Sequence, residues 1–381
     1  MNPDRLSGKT IVLAVTGSIA AVETVKLAHE LRRQGAVVQP VMSQAACGII
    51  HPDALTYACG RETIIRISGF VEHVQYCGDD GIADLLLIAP CTANTIAKIA
   101  NAIDDTPVTT FATTAIGRGM PVILVPAMHH AMFRHNLLMS HQNSLSLIGI
   151  TVINPHIEEG KAKIASNEEI VLWCGRLLSG MPLKGKNVVI TSGRCEEPVD
   201  DVRILTTRSS GKMGKELACE AFRLGAEVTI IHKDVICIGE NIRVTTATSM
   251  NQAVREIFSE KKVDIYISSA AISDFAPEIV TGKIPSGKPV SIRLNPLPKI
   301  LDGAVGKASV IIGFKLGSDS IQKAGALLCK GVTMVASNTA ENLGTESGNY
   351  ILTDQFGSLK ISGHKYEIAE RIFDRILKYH L

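Results

Sequence analysis

Thr10–Ser18 reads TIVLAVTGS, and Asn187–Gly193 reads NVVITSG. Each is a short aliphatic run that stops at small polar residues. Continuous apolar runs of this length suit strands of a parallel sheet, which are buried on both faces. Beyond the first run, Ile19, Val22, Val25, Leu27, Ala28 and Leu31 mark a helix. Gly35 closes it, and Ala36–Met42 reads as the next strand, completing a βαβ unit. Leu85–Ala89, Val122–Val125 and Ile150–Ile153 supply further strands. A helix bearing Ile170, Leu172, Trp173 and Leu177 ends near Gly180, and Met181-Pro182-Leu183-Lys184-Gly185 breaks the pattern. Beyond the second run lie a polar loop, Arg194–Ser210, and a helix, Gly211–Leu224, closed by Gly225. Glu227–Ile231, Asp264–Ser268, Val310–Phe314 and Thr333–Ala336 are its strands. The expectation is an α/β protein of two Rossmann-like parallel-sheet domains, residues 1–180 and 181–381.

Composition agrees with two such cores. The chain has 381 residues, 46% of them hydrophobic but only 4% aromatic, so aliphatic side chains must fill the interior. A formal net charge of +2 is too small for a nucleic-acid scaffold. The nine cysteines include no CxxC pair, which argues against a disulfide framework or a zinc site and for a reducing, cytoplasmic setting. Residues 1–9 are polar, and no apolar run has the length of a membrane helix, so no membrane partner is expected.

Both domains contain a small-residue turn that opens a helix: Thr16-Gly17-Ser18-Ile19-Ala20, and Ser209-Ser210-Gly211-Lys212-Met213-Gly214. Free N–H groups and the positive dipole end make such turns attractive to phosphate. Neither turn is GxGxxG, and no acidic residue ends the second strand, which excludes a simple NAD domain. Met213 stands where a Walker A loop needs Ser or Thr.

In the first domain several polar residues follow strand ends, where open α/β sheets bind ligands. His73 lies in Val71–Val74 (VEHV), Asn94 in Pro90–Thr95 (PCTANT), and Met128 in Pro126–Met128 (PAM). Singly these are ordinary residues. With Gly17–Ala21 (GSIAA) and Val41–Leu55 (VMSQAACGIIHPDAL) they resemble the homo-oligomeric flavoprotein cysteine decarboxylases, over roughly Thr10–Ile153. The resemblance implies FMN held by Gly17, Ser18 and Ser43, proton transfer by His73, and substrate contacts from Asn94 and Met128. The chemistry needs a flavin because CO2 loss from an unactivated cysteine leaves a carbanion with no electron sink. Histidine suits proton traffic near neutral pH.

In the second domain the ordered motifs are Thr191–Arg194 (TSGR), Glu197–Arg203 (EPVDDVR), Ser209–Gly214 (SSGKMG), Ala270–Phe275 (AAISDF), Gly282–Ile284 (GKI), Leu294–Leu301 (LNPLPKIL), Gly313–Lys315 (GFK) and Ala336–Asn338 (ASN). They resemble phosphopantothenate–cysteine ligase over nearly all of Lys184–His380, and the domain order resembles the fused enzyme of coenzyme A biosynthesis. The resemblance implies CTP, cysteine and 4′-phosphopantothenate as substrates, 4′-phosphopantothenoylcysteine as the product passed to decarboxylation, and Mg2+ on the triphosphate. Asp274, Phe314, Ala270 and Ala271 would bind CTP, and Ser210, Gly211 and Lys212 would lie at the phosphate-binding helix start. Lys283 matches the lysine needed to form the acyl-cytidylate.

Three positions depart from the relatives. Thr207 stands where an Asn often assists the second ligase step. Pro285 replaces a further lysine in the Lys283–Lys288 loop (KIPSGK). The stretch Glu158–Ser166 (EEGKAKIAS) lacks the flap cysteine that donates a proton during reductive decarboxylation. Lys163 is the first substitute by position and Cys91 the second. Cys174, on a helix beside Trp173, is expected to be buried. The competing readings are a flavin-binding regulatory protein, a prenyl-flavin-forming relative, and an oxidative-only decarboxylase fused to the ligase. The ligase half argues against a regulator, and His73 with PCTANT argues for cysteine chemistry.

Overall fold

The computed structural model describes residues 5–158, 161–317 and 320–379. The chain forms two compact units, Met1–Leu178 and Ser179–Leu381. Among the described residues no helix is long and apolar enough to cross a membrane.

The first unit is built on β1 (Thr10–Val15), β2 (Val37–Met42), β3 (Leu85–Cys91), β4 (Val122–Pro126) and β5 (Thr151–Val152), in the spatial order β2-β1-β3-β4-β5. All neighbours are parallel. Side chains alternate across the pleat, so Ile11, Leu13 and Val15 join one core while Val12 and Ala14 join the other. Helices Thr24–Arg33 and Asn167–Leu178 cover the first face through Leu27, Leu31, Ile170 and Cys174. Helix Pro107–Arg118 covers the second through Phe111, Ala112 and Ala115. The helix expected directly after β1 begins instead as a 3-10 turn, Ile19–Glu23. A small antiparallel pair, β6 (His156–Glu158) and β7 (Lys161–Lys163), was not anticipated.

The second unit starts with β8 (Asn187–Thr191), the pair β9 (Glu196–Pro198) and β10 (Ile204–Thr206), β11 (Glu227–His232), β12 (Glu240–Arg243) and β13 (Val263–Ser268). A second pair, β14 (Phe275–Pro277) and β15 (Leu294–Pro296), precedes β16 (Ala308–Leu316), β17 (Met334–Asn338), β18 (Ser347–Asp354) and β19 (Gly357–His364). The main sheet has eight strands in the order β12-β11-β8-β13-β16-β17-β18-β19. It is parallel as far as β17 and antiparallel beyond. The parallel part is the sheet expected from the sequence, and β18 and β19 extend it with an antiparallel edge. Helix Lys212–Arg223 packs against the C-terminal helix Lys365–Ile376.

Candidate active sites at the strand ends

In the first unit the strand order reverses at β1, whose neighbours β2 and β3 lie on either side, so a crevice opens beyond their carboxyl ends. Thr16 stitches that crevice together. Its hydroxyl donates to the Pro90 carbonyl at 2.8 Å and accepts from the Thr92 N–H at 3.0 Å. The Ser43 N–H donates to the Val15 carbonyl at 3.0 Å, and the Ala127 N–H to the Cys91 carbonyl at 3.1 Å. Gly17-Ser18, Ser43, Thr92–Asn94 and Met128 are thereby brought to one edge of the sheet. Gly17 is required by close approach, since a Cβ there would meet the Ala45 Cβ at 2.6 Å. Its N–H has no acceptor among the described residues. Ser18 and Ser43 cap the short helices that follow them, and Asn94 is exposed in the first turn of helix Ala93–Ala100.

His73 sits on helix Glu72–Cys77, entered through Val71 in the left-handed region at φ 48°. The ring is half-buried, and its Nδ1 is buried without a hydrogen-bond partner among the described residues. Cys91 is corrected as a proton donor. It is wholly buried among Ile88, Ile96 and Val122, and burial pushes its thiol far up. Cys174 is buried in the opposite core. The Lys163 side chain lies outside the described part of the structure.

In the second unit β8 has β11 on one side and β13 on the other, which again places a crevice beyond the strand ends. The Ser269 N–H donates to the Thr191 carbonyl at 3.1 Å and the Ala271 N–H to the Gly193 carbonyl at 2.8 Å, locking the two loops together. Gly211 caps helix Lys212–Arg223 with φ 72°, and Gly214 lets that helix approach, because a Cβ would fall 2.1 Å from the Ser192 Oγ. A cavity of about 450 Å³ results, lined by Thr207, Ser210, Gly211, Lys212, Ala270, Ala271, Asp274 and Phe314 among others. Phe314 meets Tyr350 edge-on at 6.1 Å. The Thr207 hydroxyl donates to the Ala271 carbonyl at 3.2 Å.

Lys283 does not line this cavity. It is exposed on the loop between β14 and β15, beside Ile284, whose N–H is held by the Asp200 carboxylate at 3.0 Å. That hydrogen bond, those from the Val202 and Arg203 N–H groups, and the Arg203 guanidinium hold the Asp200 carboxyl well below its usual range. Lys299, Asp302, Lys315 and Lys365 also line the cavity, although the sequence reading gave none of them a role. Lys299 and Lys315 lie within quoted motifs, so position relative to a strand end would have found them.

Each unit matches a known family. The family described as Flavoprotein matches residues 1–178, and the family described as DNA/pantothenate metabolism flavoprotein C-terminal domain matches residues 183–379. The "Coenzyme A biosynthesis bifunctional protein CoaBC" of Thermococcus kodakarensis is 42% identical, over 98% of this chain and 96% of its own. This chain belongs to the coenzyme A biosynthesis bifunctional proteins. The Methanocaldococcus jannaschii protein of the same name is 36% identical over 98% of this chain and 94% of its own. That of Bacillus subtilis is 30% identical over 95% and 93%. The match spans both units of the bifunctional protein and covers every motif quoted above.

Proposed function

We propose that the second unit joins cysteine to 4′-phosphopantothenate at the expense of CTP, and that the first unit decarboxylates the product to 4′-phosphopantetheine with FMN. The observation that carries this reading is convergence: eight residues chosen by motif line one cavity at the strand ends of the second unit.

In the ligase, the 4′-phosphopantothenate carboxylate attacks the α-phosphorus of CTP, giving an acyl-cytidylate and pyrophosphate. The cysteine amine then displaces CMP. Ser210, Gly211 and Lys212 would hold phosphate, with the helix end supplying N–H donors. Asp274, Phe314 and the backbone of Ala270 and Ala271 would seat the nucleotide. Lys283 would act in the first step once its loop covers the cavity. No group of three metal-ligating side chains occurs among the described residues. Asp274 and Asp302, both at the cavity, are the carboxylates that would help hold a Mg2+ brought with CTP.

In the decarboxylase, the free Gly17 N–H and the Ser18 and Ser43 turns fit a single flavin phosphate. The FMN held there would supply a two-electron sink for the cysteine side chain, whose oxidation to a thioaldehyde would stabilise the carbanion left by CO2. Asn94 can hold the departing carboxylate without a charge that would trap it. His73, with one ring nitrogen unsatisfied, is suited to move a proton. Ile19, beside Ser18, is 78% exposed and Phe70, near His73, is 75% exposed. Exposed apolar side chains beside residues assigned to the flavin site suit burial in a homo-oligomer.

The test is direct. The purified chain should be yellow and release FMN, and it should form the amide only with CTP. His73→Asn should keep the flavin and stop CO2 release. A colourless protein without CTP-dependent ligation overturns the proposal, and normal decarboxylation by His73→Asn removes that residue from the mechanism.

A further inference from the structure

Lys365 opens the C-terminal helix directly after β19. It is only 5% exposed, yet it lines the ligase cavity. Its ammonium has no hydrogen bond or ion pair among the described residues. A largely buried ammonium that feels the Glu346 charge without pairing with it is under-compensated, and an anion that arrives beside it is held favourably.

The surroundings show which anion. Lys212 opens helix Lys212–Arg223 at the same cavity. Its ammonium is engaged by the Gly344 carbonyl at 3.1 Å and by the Glu346 carboxylate. The Lys365 N–H donates to the Glu346 carbonyl at 2.9 Å, so the three residues meet at one place. Burial first, and the Lys212 charge second, push the Lys365 ammonium down, while Glu346 pulls it up. Two converging ammonium groups and a helix N-terminus form a receptor for a doubly charged phosphate. Glu346, with a side chain 74% exposed, can swing away without leaving a buried charge.

We propose that Lys365, together with Lys212 and the first turn of helix Lys212–Arg223, binds a phosphate group of a ligase substrate, and that Glu346 occupies Lys212 until that phosphate arrives. The inference rests on the ligase reading above. The phosphate is either the phosphomonoester of 4′-phosphopantothenate or part of the CTP triphosphate, and the kinetics tell them apart.

The experiment uses the full chain with CTP, cysteine and 4′-phosphopantothenate, following pyrophosphate and amide. No activity from the wild type refutes the ligase reading itself. With an active wild type, Lys365→Met should raise KM for one phosphate substrate roughly tenfold or more, leaving the other within about twofold. The substrate whose KM moves is the source of the phosphate. Lys365→Arg should recover part of the loss, and Glu346→Gln should lower the same KM. Unchanged KM values in Lys365→Met, or a fall in kcat alone, overturn the proposal. If Lys365→Met does not fold, an unchanged KM in Glu346→Gln overturns it instead.

Discussion

Thr207 shows how one hydrogen bond limits a role. Its proton is committed to the Ala271 carbonyl at 3.2 Å, so its oxygen is left with acceptor capacity. An amide at that position could both donate and accept, whereas Thr207 can only accept, for instance from the N–H of the cysteine amine as it attacks and its nitrogen gains positive charge. Thr207→Ala should therefore slow amide formation about tenfold and spare pyrophosphate release, the scale of one lost hydrogen bond to a charged group. If Lys283 serves the first step as proposed, Lys283→Gln should do the reverse and block pyrophosphate release. Rapid-quench assays of both products separate the steps, and wild-type rates in both variants would discard both roles. Ala270, Ala271, Asp274 and Phe314 were legible because they end or follow aliphatic runs, whereas Thr207 and Ser210–Lys212 lie beyond a polar loop and were legible only through the ordered motifs that resemble the ligase. Lys365 was not legible because it follows β19, a strand with no such run. Lys283 was legible as a motif, but its place outside the cavity depends on the Asp200 contact to Ile284, made across 84 residues of chain.

The hairpin β18–β19 was missed at the level of elements. Its signature is alternation, not continuity: Tyr350, Leu352 and Asp354 point inward while their neighbours are exposed or half-buried. A search for continuous apolar runs finds parallel strands and passes over this antiparallel edge. The hairpin is fastened to the C-terminal helix by a buried pair. Arg375 donates to Asp354 through Nε at 2.7 Å and Nη2 at 2.5 Å, and through Nη2 to the Gly357 carbonyl at 2.6 Å. Burial pushes Asp354 up, but the Arg375 fork and the Phe356 N–H outweigh it and leave the carboxyl lowered. Removing one partner strands the other, so Arg375→Leu should cost about 3–5 kcal/mol. Hydrogen exchange in Lys365–Ile376 is the measurement, with protection falling there first. A lowered carboxyl contributes stability above its unfolded value, near 3.9, that disappears as pH falls through the folded value. The stability gap between wild type and Asp354→Asn should therefore close on acidification. A gap that stays constant would mean the pair carries no linked proton.

At the scale of the whole molecule the two activities constrain each other through electron balance. The ligase product is the decarboxylase substrate, and its conversion to 4′-phosphopantetheine exchanges a carboxylate for a proton with no net oxidation. Two electrons leave the substrate to permit CO2 loss, and they must return to the enethiol together with a proton. A chain that lacks the proton donor halts after one CO2 per bound flavin unless an external oxidant is present. The flap cysteine of the relatives is absent from Glu158–Ser166, and Cys91 is sealed in the core. Lys163 remains, on β7, paired through the backbone with His156 on β6. We propose that Lys163 donates this proton, which requires desolvation or a cationic neighbour to loosen an ordinary lysine. Under anaerobic conditions the full chain, given CTP, cysteine and 4′-phosphopantothenate, should release CMP and CO2 in equal amounts, far exceeding its flavin, and yield 4′-phosphopantetheine. Lys163→Gln should stop near one CO2 per flavin and accumulate the enethiol. A wild type that also stops there is an oxidative decarboxylase fused to a ligase. Normal 4′-phosphopantetheine from Lys163→Gln keeps the reductive cycle and assigns the proton to another group.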